Sequence, residues 1–222
     1  MTRILSILLA GLIATPASAD FTLTILHTND FHARFEPISK YNSTCAPEDN
    51  AAGECFGGSA RLATAIAEAK ASAVNPLLVS GGDQFQGSLF YTLYKGKLAA
   101  ELMNSMGYDA MAVGNHEFDD GPEVLRTFMD AVNFPVLMAN ADVSREPHLA
   151  GSVEKSVVLE RHGEKLGVIG LVPLDTAEGS KPGDNVVFTN PIDAVQSEVD
   201  LLTEEGIDKI IVLSHSGYGI DL

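Results

Sequence analysis

A short apolar segment followed directly by Asp, Asn or His residues recurs along this chain, and this pattern limits the folds that the chain can adopt. The clearest case is Gly-Asn-His-Glu-Phe-Asp-Asp-Gly at 114–121, which follows the apolar residues 110–113. The apolar residues are typical of the end of a buried strand. Open α/β sheets bind their ligands at the carboxyl ends of strands, so this segment predicts a functional strand end.

Three side chains of this segment suit a catalytic site. Asn115 offers an amide oxygen to a divalent metal, and His116 offers an imidazole to a substrate. If the backbone is extended here, adjacent side chains point in opposite directions and face different parts of one site. Asp119 follows His116 by three residues and would fix the tautomer of its ring through a hydrogen bond. Taken alone, an Asn-His pair is more typical of a turn with a surface histidine.

Three further apolar segments, at 21–26, 76–80 and 207–213, also lead into polar residues. An extended backbone would place two residues that are two positions apart on one face, as at 30 and 32. The strands should be neighbours in a parallel sheet, so we expect their polar residues to meet at one edge. These residues are Asp30, His32, Asp83 and His215.

The combined residues form a set of oxygen and nitrogen donors without a thiolate, which favours Zn, Mn, Fe or Co over Ca. Two divalent ions about 3.5–4 Å apart are the usual clamp for displacement at phosphorus. Asp83 is predicted to bridge both ions, with Asp30 and His32 on one ion and Asn115 and His215 on the other. The net positive site would attract a phosphate and lower the pKa of a bridging water, giving hydroxide near neutral pH.

Strand and helix patterns alternate along the chain, which implies an α/β fold with a largely parallel sheet and right-handed crossovers. Residues 153–161 and 165–172 flank His-Gly-Glu and predict a hairpin, so antiparallel pairing and mixed sheets are also expected. Apolar residues at helical spacing predict helices over 59–73, 93–106, 122–132 and 193–204.

Residues 1–19 predict a secretory signal. Arg3 supplies the positive charge, residues 4–13 the apolar segment, and residues 17–19 the small-residue cleavage site. The apolar segment is shorter than the roughly 20 residues that span a bilayer, although an N-terminal anchor is the alternative. We therefore expect cleavage after Ala19, a mature chain over 20–222 without a membrane span, and a secreted or periplasmic location.

The two cysteines agree with an exported protein. Cys45 and Cys55 are the two cysteines of the chain, and in an oxidising compartment they should form a disulfide. Paired metal thiolates are the alternative, which the long spacing disfavours.

The formal net charge of −16 argues against a nucleic-acid polymer as partner. A small phosphate substrate stays compatible, since a metal can supply positive charge locally.

The strand-end motifs resemble those of the calcineurin-like metallophosphoesterases. The matching segments are Asp-x-His at 30–32, Gly-Gly-Asp at 81–83, Gly-Asn-His-Glu-Phe-Asp at 114–119 and Ser-His-Ser-Gly at 214–217. Two more segments narrow the resemblance to the secreted and periplasmic 5′-nucleotidases. They are His-Thr-Asn-Asp at 27–30 and Gly-Gly-Ser-Ala-Arg-Leu at 57–62. The resemblance as a whole covers residues 21–222.

The resemblance implies a four-layer αββα catalytic domain with two mixed sheets and two divalent metals. It also implies a hydrolase that dephosphorylates 5′-nucleotides or related small molecules, with His116 and Asp119 acting at the scissile phosphate. Asn115 and His116 are then candidate substrate contacts. Arg34 is a further candidate, for which an ordinary surface role is the alternative. Glu117 and Asp120 are expected to be structural or to support the ligands. The oligomeric state is not predicted.

Two alternatives stay open on the same resemblance. The scaffold could act on a non-nucleotide substrate, as the sulfur-oxidation thiosulfohydrolases do. The chain could also be a non-catalytic fragment, because the family's catalytic domain continues beyond the His215 motif to a Gly-His-x-His segment and a nucleotide-binding domain. On this basis the domain over 20–222 is expected to be incomplete at its C-terminus.

Overall fold

The computed structural model describes residues 20–222, and the predicted signal over 1–19 lies outside the described residues. The strands are β1 (Thr24–Thr28), β2 (Pro76–Ser80), β3 (Ala110–Ala112), β4 (Val136–Leu137), β5 (Ala141–Asp142), β6 (Ser156–Arg161), β7 (Glu164–Leu171), β8 (Val187–Phe188) and β9 (Ile210–Ser214). The α-helices are α1 (Pro47–Ala51), α2 (Ser59–Ser72), α3 (Leu89–Tyr94), α4 (Lys97–Met106), α5 (Pro122–Ala131), α6 (Thr176–Gly179), α7 (Pro191–Glu204) and α8 (Tyr218–Asp221), and a 3-10 helix spans His116–Phe118.

The strands form two main sheets. In the first, β1, β2, β3 and β4 lie side by side in that order and all pairs are parallel. The second has the order β6-β7-β9, in which β6 and β7 are antiparallel and β7 and β9 are parallel. Strands β5 and β8 make a separate antiparallel pair. The predicted α/β fold and the predicted hairpin are confirmed, and the mixed pairing is confined to the three-stranded sheet.

The core between the two main sheets comes from alternate residues of their strands. Leu77 and Val79 of β2 are fully buried and belong to one cluster with Leu166 and Val168 of β7. Leu78, between them in sequence, belongs to a different cluster on the other face. This division follows from the alternation of side chains along a strand, and it explains why β2 is apolar throughout.

Helices cover the outer faces of both sheets, which completes the four-layer αββα arrangement. On the parallel sheet, Ile66 of α2, Met103 of α4 and Phe128 of α5 share a buried cluster with Met111 of β3. On the other sheet, Leu202 of α7 shares a cluster with residues of β7. The helical spacing of the apolar residues therefore places them on the face that packs against the sheet, as the sequence pattern predicts.

One predicted helix is wrong in its continuity. The segment 93–106 was expected to form one helix, but α3 ends at Tyr94 and α4 begins at Lys97. Lys95 has a φ of 55°, outside the helical region. A Cβ on Gly96 would lie 2.8 Å from Cζ of Phe85, so the chain needs a glycine where it passes this buried ring. The packing around Phe85 thus interrupts a segment whose periodicity favours one helix.

The long polar loop after β1 is closed by the predicted disulfide. Cys45 and Cys55 are bonded, with their Cα atoms 6.0 Å apart. Ile38 makes isolated β-bridges to Thr44 and Phe56 on the two sides of this loop. The disulfide therefore joins two chain segments that the backbone already holds together.

A glycine at the contact of the two sheets offers a test of this packing. A Cβ on Gly170 of β7 would lie 2.5 Å from Cβ of Leu137 in β4. We expect Gly170→Ala to lower the free energy of unfolding by about 1–3 kcal/mol, because the sheets must separate to admit the methyl group. Urea unfolding measures this value. Gly179→Ala is the control, since a Cβ there meets nothing within 4 Å, and equal stability of both variants would contradict the packing described.

Candidate active site

The predicted strand ends meet at one place. Side-chain ligand atoms of His32, Asp83 and His116 lie within 4.8 Å of one another, and so do those of Asp30, Asp83 and His215. Asp83 is common to both groups. Asp30 and His32 follow β1, Asp83 follows β2, and His116 follows β3, and these three strands are neighbours in the parallel sheet. His215 follows β9 of the second sheet. The site thus lies where the two sheets present their carboxyl ends together.

Asp83 is the centre of this arrangement and is only 2% exposed. Its Oδ2 lies 3.1 Å from Nε2 of His215 and 3.8 Å from Nε2 of His32. Its Oδ1 accepts a hydrogen bond of 3.0 Å from the backbone N–H of His116. Asp30 lies on the exposed side, with Oδ1 3.5 Å from Nε2 of His32. One carboxylate therefore faces two imidazoles from different strands.

The two imidazoles are oriented by backbone carbonyls. Nδ1 of His32 lies 3.0 Å from the Phe85 carbonyl oxygen, and Nδ1 of His215 lies 2.7 Å from that of Gly81. A carbonyl oxygen only accepts, so Nδ1 of each ring must carry the proton. Each Nε2 then faces Asp83 with a lone pair in the neutral ring. This is the arrangement by which proteins hold histidines that bind metals.

The charges of the site shift the pKa values of its groups in opposite directions. Burial opposes ionisation of both Asp83 and His215, but their hydrogen bond and mutual attraction outweigh it. The pKa of Asp83 is therefore lowered, and that of His215 is raised to about 9. A proton on His215 thus substitutes for the positive charge that a cation would bring to the same oxygen.

The backbone conformation differs from the extended one that the sequence argument assumed. Asp30, His32 and Asp83 have φ values of 52°, 47° and 56°, and Asn115 has helical angles before a 3-10 helix that begins at His116. The premise of alternating side chains is therefore wrong at these positions. Asp30 and His32 still converge, because the backbone N–H groups of both donate to carbonyls of the segment 82–83.

Glu117, which the sequence predicts to be structural or to support the ligands, joins two loops of the site. It is fully buried, and its carboxylate accepts hydrogen bonds from backbone N–H groups of Asp83, Gln84, Phe85 and Gly114. Burial and the nearby Asp83 charge raise the pKa of Glu117 to about 7, against the lowering effect of these N–H groups. Its place in the motif was visible in the sequence, but its partners depend on the tertiary fold.

A close approach of the chain to itself explains the glycine that begins the 114–121 motif. A Cβ on Gly114 would lie 2.7 Å from the backbone nitrogen of Asp83 and 2.9 Å from its Cγ. No side chain of any size can be placed there without moving Asp83. Gly114 therefore allows the loops after β2 and β3 to touch at the central carboxylate.

The predicted contact between His116 and Asp119 is present. Nδ1 of His116 lies 2.7 Å from Oδ2 of Asp119, and the His116 ring packs edge-on against His32 with centroids 5.1 Å apart. Burial lowers the pKa of His116, but the hydrogen bond and charge of Asp119 and the charge of Asp83 outweigh it, so the pKa is raised. The pair thus favours a protonated ring beside the acidic centre.

The remaining candidates lie around this centre. The Arg34 guanidinium donates to the carbonyl of Gly87, so one of its N–H groups is already used. Asp120 accepts hydrogen bonds from the Tyr91 hydroxyl at 2.8 Å and from Nζ of Lys95 at 3.0 Å, and these bonds lower the pKa of Asp120. Asp120 therefore connects the motif to the junction of α3 and α4, in agreement with its expected structural role.

Comparison with known proteins agrees with this geometry. The family described as calcineurin-like phosphoesterase matches residues 23–220. The chain belongs to this family. A 5′-nucleotidase from Diplobatis ommata is 45% identical over 207 residues, which are 92% of this chain and 35% of the relative.

Two solved structures are similar in fold. A 5′-nucleotidase precursor from Thermus thermophilus has a TM-score of 0.83 and 43% identity, covering 91% of this chain and 38% of that one. NAD nucleotidase from Haemophilus influenzae has a TM-score of 0.77 and 30% identity, covering 89% of this chain and 34% of that one. The chain thus spans about a third of the length of these relatives.

The role of Glu117 can be tested by replacing one of its oxygens. Glu117→Gln keeps one acceptor but turns an amide N–H₂ toward backbone N–H groups. We expect the free energy of unfolding to fall by about 1–3 kcal/mol, because buried donors lose their partners. Glu101→Gln, at an exposed position of α4, is the control. An unchanged midpoint of urea unfolding for Glu117→Gln would show that the carboxylate does not hold the two loops.

Proposed function

We propose that this chain carries the catalytic centre of a metal-dependent phosphoester hydrolase that dephosphorylates 5′-nucleotides. The observation that carries this proposal is the pair of donor groups that share Asp83, each within 4.8 Å. Two histidines of these groups have Nδ1 bonded to a backbone carbonyl, which leaves Nε2 for a cation. The donors are nitrogen and oxygen atoms, and such a set suits Zn, Mn, Fe or Co.

The residues present fit two divalent ions that share one carboxylate. The proposed assignment divides the donors differently from these two groups, because it keeps His116 for the substrate. Asp83 would be shared by both ions, with Asp30 and His32 on one ion and Asn115 and His215 on the other. The short distances from His32 to Asp30 and from His215 to Asp83 support this division. Two such ions would polarise a phosphoryl oxygen and activate water for attack at phosphorus. The buried Asp83 would keep them close to each other, and the carbonyl-bonded rings would keep the remaining ligands in place.

His116 and Asp119 are the proposed catalytic pair. Asp119 lies 2.7 Å from Nδ1 of the ring and so holds a proton there, which leaves Nε2 free to face the substrate. A charged ring stabilises negative charge that develops on the phosphate. It can also give its Nε2 proton to the leaving oxygen as a general acid. Both roles agree with the raised pKa of His116.

The substrate class follows from the relatives. Proteins named 5′-nucleotidase from Diplobatis ommata and Homo sapiens are 45% and 40% identical to this chain, which supports a nucleotide over the non-nucleotide alternative. Asn115, His116 and Arg34 are the proposed contacts to the phosphate. The Arg34 guanidinium has further N–H groups besides the one that it donates to Gly87.

We also propose that residues 20–222 form a metallophosphoesterase domain and that residues 1–19 direct its export. The disulfide between Cys45 and Cys55 supports an oxidising compartment. Among residues 20–222, no helix combines the length and the apolar character needed to cross a membrane.

Substitution of Asp83 and His116 separates metal binding from catalysis. We expect Asp83→Ala to lose binding of the second ion, because the shared ligand is gone, and to release no phosphate from AMP. His116→Ala should bind both ions but release phosphate about 100-fold more slowly, as expected for loss of a general acid. Calorimetric titration with Mn²⁺ and phosphate release measure the two effects, with a chelated sample as blank.

The exposed residue His148 supplies the control, since His148→Ala should match the wild type in both assays. Turnover near that of the wild type in Asp83→Ala would contradict the shared-carboxylate assignment. Loss of metal binding in His116→Ala would show that His116 is a ligand and not the catalytic acid.

A further inference from the structure

A segment distant in sequence packs against the 114–121 motif. Oγ of Ser180 lies 2.7 Å from the backbone oxygen of Asn115 and 2.8 Å from Oδ1 of Asp119. The backbone N–H of Lys181 donates to the carbonyl of Phe118 at 3.2 Å. Residues 180–181 therefore contact the motif on both its backbone and its catalytic side chain.

The Ser180 hydroxyl is the donor in these contacts. A backbone carbonyl and an ionised carboxylate only accept, so the single hydroxyl proton is directed at these two oxygens. One of them belongs to the residue before His116, and the other belongs to the carboxylate whose Oδ2 bonds the His116 ring. The hydroxyl therefore fixes the Asp119 side chain relative to the backbone from which His116 projects.

The position of the hydroxyl is itself well determined. Ser180 follows α6, and its backbone N–H donates to the carbonyl of Thr176 at 3.1 Å. Thr176 is fully buried, so the start of α6 is anchored in the core. The Asp119 side chain is only 14% exposed, and a hydrogen bond that is shielded from water is stronger than one at the surface.

We infer that Ser180 is a positioning residue for the proposed catalytic pair. It acts on the reaction through Asp119, whose carboxylate it orients, and so determines how the His116 ring is aimed. The catalytic consequence rests on the proposed function. The structural consequence, a His116 ring whose Nδ1–H bond depends on Ser180, does not.

The first test is kinetic and uses the full protein with AMP and Mn²⁺. Ser180→Ala should lower kcat about 10-fold, less than the loss of about 100-fold expected when the His116 ring itself is removed. KM and the Mn²⁺ affinity should stay within about twofold of the wild type, because Ser180 is not a proposed ligand of metal or substrate and contacts Asn115 only at its backbone oxygen. Ser180→Thr keeps a hydroxyl and should restore most of kcat. If Ser180→Ala does not fold, Ser180→Cys, with its weak donor, replaces it.

Thr176→Val is the matched control in the same segment. The Thr176 hydroxyl is buried and has no hydrogen-bond partner within residues 20–222, so its removal should leave kcat unchanged. In a His116→Ala background, Ser180→Ala should cause no further loss, because residues that act as a unit are not additive. A full additional 10-fold loss in that background would overturn the inference.

The second test does not depend on turnover. The ring Nδ1–H resonance of His116, assigned by its absence in His116→Ala, should shift or broaden in Ser180→Ala and stay in place in Thr176→Val. An unchanged resonance in Ser180→Ala would overturn the positioning role. If the wild type releases no phosphate from AMP, the proposed function fails, whereas the resonance still decides the role of Ser180.

Discussion

The buried carboxylate of Glu117 is the interaction on which the site depends. It receives backbone N–H groups from the loop after β2 and from the end of β3, and so joins the two strand ends that carry Asp83 and His116. A carboxylate has two oxygens that accept hydrogen bonds, whereas an amide has one oxygen and an N–H₂ group that only donates. The distances around Asp83 therefore depend on a residue that has no direct role in the proposed chemistry.

This connection places negative charges close together. Asp83 and Glu117 are both buried, and the charge of Asp83 is one cause of the raised pKa of Glu117. Without a cation, the proton on His215, whose pKa is raised beside Asp83, offsets this charge. Divalent ions at the same oxygens would do so more strongly, which makes the acidic centre and the proposed metals parts of one electrostatic arrangement.

Much of the fold could be predicted because its strands and helices follow regular patterns. The apolar β2, the hairpin of β6 and β7, and α7 all occur where the periodicity places them. The break between α3 and α4 could not be predicted, because it depends on the ring of Phe85 from another part of the chain. Propensity and periodicity describe neighbours in sequence and carry no information about such a contact.

The candidate site could likewise be predicted only in part from the sequence. Its ligand types and their place after strands could be read from the sequence, since the topology brings parallel strand ends together. The left-handed backbone conformations at Asp30, His32 and Asp83 could not be predicted, because non-glycine residues rarely adopt positive φ without tertiary support. The contact of Ser180 with Asp119 could not be predicted either, since the two residues are 61 positions apart in sequence and Ser180 belongs to no motif.

We propose that two metal ions share the Asp83 carboxylate. Electron paramagnetic resonance of the protein loaded with two equivalents of Mn²⁺ tests it most directly, because ions about 3.5–4 Å apart and joined by a carboxylate couple their spins. We expect the multiline spectrum of an exchange-coupled pair in the wild type and the spectrum of isolated ions in Asp83→Ala. A spectrum of isolated Mn²⁺ in the fully loaded wild type would contradict it.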